Sequence, residues 1–173
     1  MKTENLQSDI LMGILSTVKD DRALVLLTHG YLELAVTRII DRKCKNASRI
    51  TSDTRGYPYS VRIVLLHELG LLTDSIFIAL DRFRKIRNRA AHEPYFKLRK
   101  DQLKLIFEHY EKDRNPGPAQ PHTLPYSANI RTVCLCLVAM IFKEHSEIIN
   151  EAFTPERWRE PGNSTEQNHS GDA

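Results

Sequence analysis

The stretch Asp74-Ser75-Ile76-Phe77-Ile78-Ala79-Leu80-Asp81-Arg82-Phe83-Arg84-Lys85-Ile86-Arg87-Asn88-Arg89-Ala90-Ala91-His92-Glu93-Pro94 decides how the chain is read. Ile76, Leu80, Phe83, Ile86 and Ala90 recur at intervals of three and four, the spacing that gathers side chains on one side of an α-helix. Thr73 stands where a cap is wanted, and Pro94 disfavours helical backbone at Glu93. A helix is therefore predicted from about Asp74 to Ala91, stopping near His92. The same periodicity runs through almost all of the chain, with no convincing alternation of period two. The sequence predicts an all-α protein.

Working outward, a first helix is predicted from about Leu6 to Lys19. Leu6, Ile10, Ile14 and Leu15 form its apolar side, and Asn5 or Ser8 is placed to cap it. A second begins after Asp20 or Asp21 and runs to about Lys43. Leu24, Leu27, Tyr31, Leu34, Val36, Ile39 and Ile40 nearly encircle it, which marks a central buried helix. Asn46 to Tyr59, with Gly56 and Pro58 among Asn, Ser, Thr and Asp, reads as a loop. A third helix covers about Ser60 to Leu69, and Gly70 sits where a left-handed C-terminal cap is needed. The helix at Asp74 is the fourth. A fifth is predicted from about Lys100 to Lys112. Four prolines between Pro116 and Pro125 then make a semi-rigid crossover along the outside of a bundle. A last helix, about Ser127 to Ala152, carries Ile130, Val133, Leu137, Ile141 and Ile148. Past Phe153 apolar content collapses apart from Trp158, so residues 154–173 are predicted to be a disordered tail. The expectation is one helical domain over residues 1–153, an irregular bundle of about six helices.

A length of 173 residues suits one domain plus a tail, and 41% hydrophobic with 27% charged residues excludes wholesale disorder. A net charge of +3 is weak support for nucleic-acid binding if spread evenly. It is not spread evenly, because five basic side chains fall between positions 82 and 89 and residues 82–92 hold no acid. Of the three cysteines, Cys44, Cys134 and Cys136, one is unpaired under any disulfide scheme, and Cys-x-Cys is neither a zinc nor a redox spacing. They read as small buried hydrophobes. No basic region feeds an apolar leader stretch, and no uncharged run approaches the roughly 18 residues of a membrane span. A soluble, cytoplasmic protein with no membrane partner is expected, so the Asn-x-Ser/Thr matches at Asn46 and Asn163 are set aside.

With Ile86 at the centre of the buried stripe, Arg87 lies about 100° and His92 about 240° round the helix. They flank a face holding Arg84, Asn88 and Ala91, predicted to look away from the core. Ala90 and Ala91 keep the surface low near the helix end, so a second backbone can approach. Pairing of this fourth helix with its own copy about a two-fold axis gathers Arg87, Asn88 and His92 of both chains in one groove. An imidazole titrates near neutral pH, and a guanidinium can stabilise a phosphorane. Such a groove suits attack of a ribose 2′-hydroxyl on its neighbouring phosphate without a metal. The bland alternative is a solvated basic helix end whose cations favourably meet the helix dipole. Spacing alone does not choose. Arg62 and His67 show the same Arg-x4-His spacing, and roughly one such match is expected by chance. What sets the second match apart is Asn88, the paired alanines and the surrounding charge.

The run Ile86-Arg87-Asn88-Arg89-Ala90-Ala91-His92 resembles the Arg-Asn-x3-His signature of the HEPN superfamily (higher eukaryotes and prokaryotes nucleotide-binding). These are α-helical domains, many dimeric, some of them metal-independent ribonucleases. More of the chain is similar to the mannitol operon repressor family within that helical group. The matching features are Tyr31-Leu32-Glu33-Leu34, then Val61-Arg62-Ile63-Val64-Leu65-Leu66-His67-Glu68-Leu69-Gly70-Leu71-Leu72, then Ile86 to His92. The resemblance covers about residues 20–96. The chain departs from the repressor-like pattern at Arg89 and Ala90, where an apolar residue usually precedes the Ala-His pair. The ribonuclease side of the resemblance implies Arg87 and His92 as a catalytic pair with Asn88 as a polar helper, as in the toxin of a toxin–antitoxin pair. The repressor side implies regulation through a protein partner, since no helix-turn-helix or zinc finger is present.

Glu33 interrupts an apolar helix. Either it pairs with Arg87, or it belongs to a solvent-facing ridge with His29 and Thr37 at i, i+4 spacing. No Gly-rich phosphate loop, His-Glu-x-x-His pair or Gly-x-Ser-x-Gly elbow occurs, and His109, His122, His145 and His169 show no ligand spacing. No cofactor and no metal are expected. Arg82, Arg84, Lys85 and Arg89, continued by Lys97, Arg99, Lys100 and Lys104, are the candidate contacts to RNA or DNA. The leading expectation is a cytosolic regulatory protein of the mannitol operon repressor type, homodimeric through the fourth helix. A metal-independent ribonuclease comes second, and a non-catalytic nucleic-acid binder third.

Overall fold

A computed structural model describes residues 6–106, 108 and 129–152. Among them are seven helices and no strand: α1 (Leu6–Thr17), α2 (Asp21–Lys43), α3 (Ala47–Ser52), α4 (Tyr59–Glu68), α5 (Asp74–His92), α6 (Lys100–Ile106) and α7 (Ile130–Ala152). The fourth predicted helix is thus α5. The proline-rich crossover, the predicted end of the helix at Lys100, the tail, and His109, His122 and His169 lie outside the described residues.

Helix α2 is the axis of the bundle and packs against α1, α3, α4, α5 and α7. The Asp20 carboxylate accepts the Ala23 backbone N–H at 2.7 Å, and Arg42 and Lys43 meet the dipole at the other end. By length and composition α2 would suit a membrane, yet 56% of its apolar stretch is buried in the bundle. Leu24, Tyr31, Val36, Ile39 and Ile40 are buried as predicted, but Leu27 is 51% exposed. On α1 the predicted apolar side divides, Leu15 being buried and Ile14 52% exposed.

Turn-forming composition misjudged residues 46–59, where α3 interrupts the expected loop. The Asn46 carbonyl accepts from Arg49 N and Ile50 N, and Ile50 packs on the core, so tertiary burial overrides local propensity. Gly70 closes α4 as expected. Its φ is +67°, Gly70 N donates to His67 O at 2.9 Å and Leu71 N to Leu66 O at 2.8 Å, the paired bonds of a Schellman cap.

All five predicted stripe residues of α5, Ile76, Leu80, Phe83, Ile86 and Ala90, are buried. Thr73 holds the cap position, but its hydroxyl bonds Glu144 of α7 at 3.1 Å instead of a helix N–H. Helix α7 is capped by Asn129, which accepts from Thr132 N at 2.9 Å. It breaks at His145 (φ −134°, ψ 30°), whose Nε2 meets the Leu71 carbonyl at 2.7 Å. The break shifts the helical phase, so Ile149 rather than the predicted Ile148 is fully buried. Among the cysteines, all free, Cys134 is buried and Cys44 and Cys136 are half-buried. Burial pushes the Cys134 thiol up to about 12, so it stays a thiol.

Candidate functional site

Helices α2 and α5 run antiparallel. Arg22 at the start of α2 donates to the Glu93 and Pro94 carbonyls past the end of α5, whereas His29, two turns later, feels the charges of Arg87 and Arg84. Between them, roofed by residues 54–60 and the first turn of α4, lies a cleft of about 270 Å³. Arg84, Arg87 and Asn88 enter it from α5, His29 and Glu33 from α2, and Tyr59, Ser60 and Arg62 from α4. The face predicted to look away from the core therefore divides. Arg84, Arg87 and Asn88 are half-buried against the cleft, while Ala91 and His92 at the last turn are exposed. His92 follows Arg87 by five positions, about 7.5 Å along the axis and 140° around it, and the cleft takes in Arg87 but not His92.

Inside the cleft, Arg87 Nη1 donates to Asn88 Oδ1 at 3.2 Å. His29 Nδ1 lies 3.9 Å from Glu33 Oε2, and the imidazole packs on Tyr59 with ring centroids 4.6 Å apart. Burial first, then the positive charges of Arg87 and Arg84, hold the His29 pKa down to about 4, so the ring is neutral at physiological pH. Burial raises the Tyr59 phenol well above its ordinary value, and Glu33 adds to the effect. Neither group is therefore tuned to exchange protons near pH 7. The His29–Glu33–Thr37 ridge, read as a solvent edge or as a partner for Arg87, divides: His29 is enclosed, whereas the Glu33 side chain remains 43% exposed at the cleft. His29 is only 3% exposed, Glu33 shares the cleft with Arg87, and Thr37 Oγ1 accepts from Arg62 at 3.3 Å.

Composition around Arg82–Arg89 overstated the free charge. Arg84 and Lys85 share Asp81 at 2.7 and 2.9 Å, Arg89 grips Glu93 at 2.7 and 2.9 Å, and Arg82 lies 3.5 Å from Glu108. Burial would raise the Asp81 pKa, but hydrogen bonds from Lys85 and Arg84 outweigh it and hold it below the ordinary value. Arg89 likewise draws the Glu93 carboxyl down. Arg99 pairs with Asp101 at 3.3 Å, and Lys97 and Lys100 are exposed. Within 82–89, Arg87 alone has no carboxylate partner among the described residues. The Arg62–His67 match is structural. Arg62 is 4% exposed and donates to the Ile50 and Thr51 carbonyls, while His67 Nε2 meets Asp74 at 2.7 Å and its ring stacks on Phe77.

Sequence reading missed His29 and Tyr59 as cleft residues. The signal for His29 was a polar side chain one turn before Glu33 on a helix that is otherwise apolar; Tyr59 carried none. Among the described residues no group of three His, Cys, Asp or Glu is arranged to hold a metal. No family model, curated protein or solved structure matches the chain.

Proposed function

We propose that this protein is a homodimeric helical regulator of the mannitol operon repressor type, acting through a protein partner. One observation carries the reading: a low, apolar, exposed surface where α2 meets the end of α5. Leu26 and Leu27 are 37% and 51% exposed, Gly30 has nothing within 4 Å of where a Cβ would stand, and Ala91 is exposed. The antiparallel register sets Leu26 and Leu27 at about the level of the last turns of α5, and small residues let a second copy approach closely. Exposed apolar groups that cluster favour association, whereas scattered ones need no explanation. The resemblance at 31–34, 61–72 and 86–92 supports the same reading. Five of the eight predicted nucleic-acid contacts (Arg82, Arg84, Lys85, Arg89 and Arg99) are engaged with carboxylates, which weakens the case for a polyanion track.

Light scattering after gel filtration tests the dimer at tens of micromolar. A dimer in the wild type and a monomer in Ala91→Arg and Leu27→Asp are the expected results; a monomeric wild type rejects the reading. Affinity purification of wild type and the two variants from the native host then tests whether partner capture depends on the dimer.

A second reading, the metal-independent ribonuclease, has an observation in its favour. His92 is exposed beside Ala91 on the last turn of α5, so a two-fold contact there would bring the two His92 side chains together. Incubating single-stranded RNA in EDTA with wild type and His92→Ala decides it. Products ending in 2′,3′-cyclic phosphate, lost with the substitution, would replace the regulatory reading.

A further inference from the structure

We propose that the cleft between α2, α5 and the start of α4 is a binding site for a small phosphate monoester. Arg87, Arg84, Asn88 and the first turn of α4 would hold the phosphate, and Glu33 would accept a hydroxyl of the ligand. This depends on neither dimerisation nor the regulatory role.

Four kinds of observation converge. Arg87 reaches only the neutral Asn88 Oδ1, and that contact leaves the Asn88 amide N–H groups as further donors. Arg84 is bonded to Asp81 through Nε and Nη2, which leaves Nη1 as a donor at the cleft. Helix α4 begins at the cleft with Pro58 as its cap residue and no side-chain bond to its first turn. The first N–H groups of a helix have no partner within it and carry the positive end of the dipole, which suits an oxyanion.

The remaining observation is independent of the helix end. His29 Nε2, Tyr59 Oη and Arg62 Nε, on side chains 3%, 8% and 4% exposed, have no hydrogen-bond partner among the described residues. Buried polar atoms are ordinarily satisfied; these three belong to side chains that line the cleft, although the atoms themselves are closed to solvent.

The same inventory sets the ligand class. With Asp81 answering Arg84, three guanidiniums stand against two carboxylates, an excess of positive charge that favours a compact anion, and charge-assisted bonds from arginine to phosphate are the strong ones. A cleft of about 270 Å³ lies just below the usual range for small-molecule sites, which favours a compact ligand. Glu33 repels a bare anion but accepts from a hydroxyl, so a hydroxylated monoester should bind better than inorganic phosphate.

Isothermal titration of the full chain at pH 7.5 and constant ionic strength, with inorganic phosphate and with glycerol 3-phosphate, tests this. Saturable binding of both is expected, glycerol 3-phosphate at least several-fold tighter. Arg87→Gln should weaken both at least tenfold, while Lys97→Gln, outside the cleft, leaves them unchanged. Glu33→Gln should tighten inorganic phosphate and narrow the gap between the two probes. Asn88→Ala, weakening both, provides a second reporter should Arg87→Gln fail to fold. Absence of saturable binding, or equal binding by wild type and the cleft variants, overturns the proposal.

Discussion

Acidification should destabilise this protein through His29 before its carboxylates begin to protonate. The imidazole has an ordinary pKa of 6.5 in the unfolded chain and about 4 in the fold, where burial and then Arg87 and Arg84 oppose its charge. Above pH 6.5 the ring is neutral in both states and contributes no pH dependence. Between 6.5 and 4 the unfolded chain binds a proton that the folded chain refuses, so stability falls as pH falls. A tenfold difference in proton affinity between the two states corresponds to about 1.4 kcal/mol, which sets a ceiling of about 3 kcal/mol and a loss of about 2 kcal/mol between pH 7 and 4.5. With a urea slope of about 2 kcal/mol/M, the midpoint should drop by about 1 M from this group alone. Urea melts of wild type and His29→Gln at both pH values isolate it. The substitution also removes the contact with Tyr59, so absolute stabilities will differ at either pH; the informative quantity is the loss from 7 to 4.5. Asp81 and Glu93, whose pKa values are lowered, are present in both proteins and cancel. Equal losses in the two proteins would refute the assignment of a neutral, enclosed imidazole.

Three further outcomes are expected. Gly70→Ala should cost about 1–2 kcal/mol, because φ is +67° there, whereas Gly13→Ala, inside α1 with open space at its Cβ, should gain about 0.5–1 kcal/mol by thermal denaturation. Arg62→Met should cost about 3 kcal/mol or more, since it strands the Ile50 and Thr51 carbonyls at the end of α3; a loss below 1 kcal/mol in urea unfolding would show that those bonds contribute little. Arg22→Ala removes the donor to the Glu93 and Pro94 carbonyls and should speed amide hydrogen exchange in the last turn of α5, with α7 unaffected.

Periodicity made most of the fold legible. The α5 stripe, the span of α2 and the cap at Gly70 follow from spacing and from one residue with access to positive φ, both local properties. What failed depended on partners distant in sequence. Residues 46–59 have turn composition, yet Ile50 packs on the core and Arg62 caps the short helix they form. Ile148 and Ile149 exchanged roles because His145 breaks the helical phase to reach Leu71, 74 residues away. At the cleft, helical angles placed Arg84, Arg87 and Asn88 on one face but not what faced them. Tyr59 and His29 reach that face only once α2 and α4 are docked.

The basic segment also acquires a different physical meaning. An arginine from elsewhere in the chain holds carbonyls at the end of each of four helices: Arg131 at α1, Arg62 at α3, Arg22 at α5 and Arg82 at α6. A guanidinium suits the task because its planar fork of donors reaches several carbonyls at once and its charge meets the negative end of the dipole. Four arginines thus serve to join helices, and Arg84, Lys85 and Arg89 are answered by nearby carboxylates. Subtracting these isolates Arg87. It sits on a structured helix with no carboxylate partner among the described residues, at the mouth of a cleft whose buried polar atoms also lack partners there. A cation kept there makes no evident contribution to stability, so its place is better explained by what the cleft binds than by what holds the bundle together.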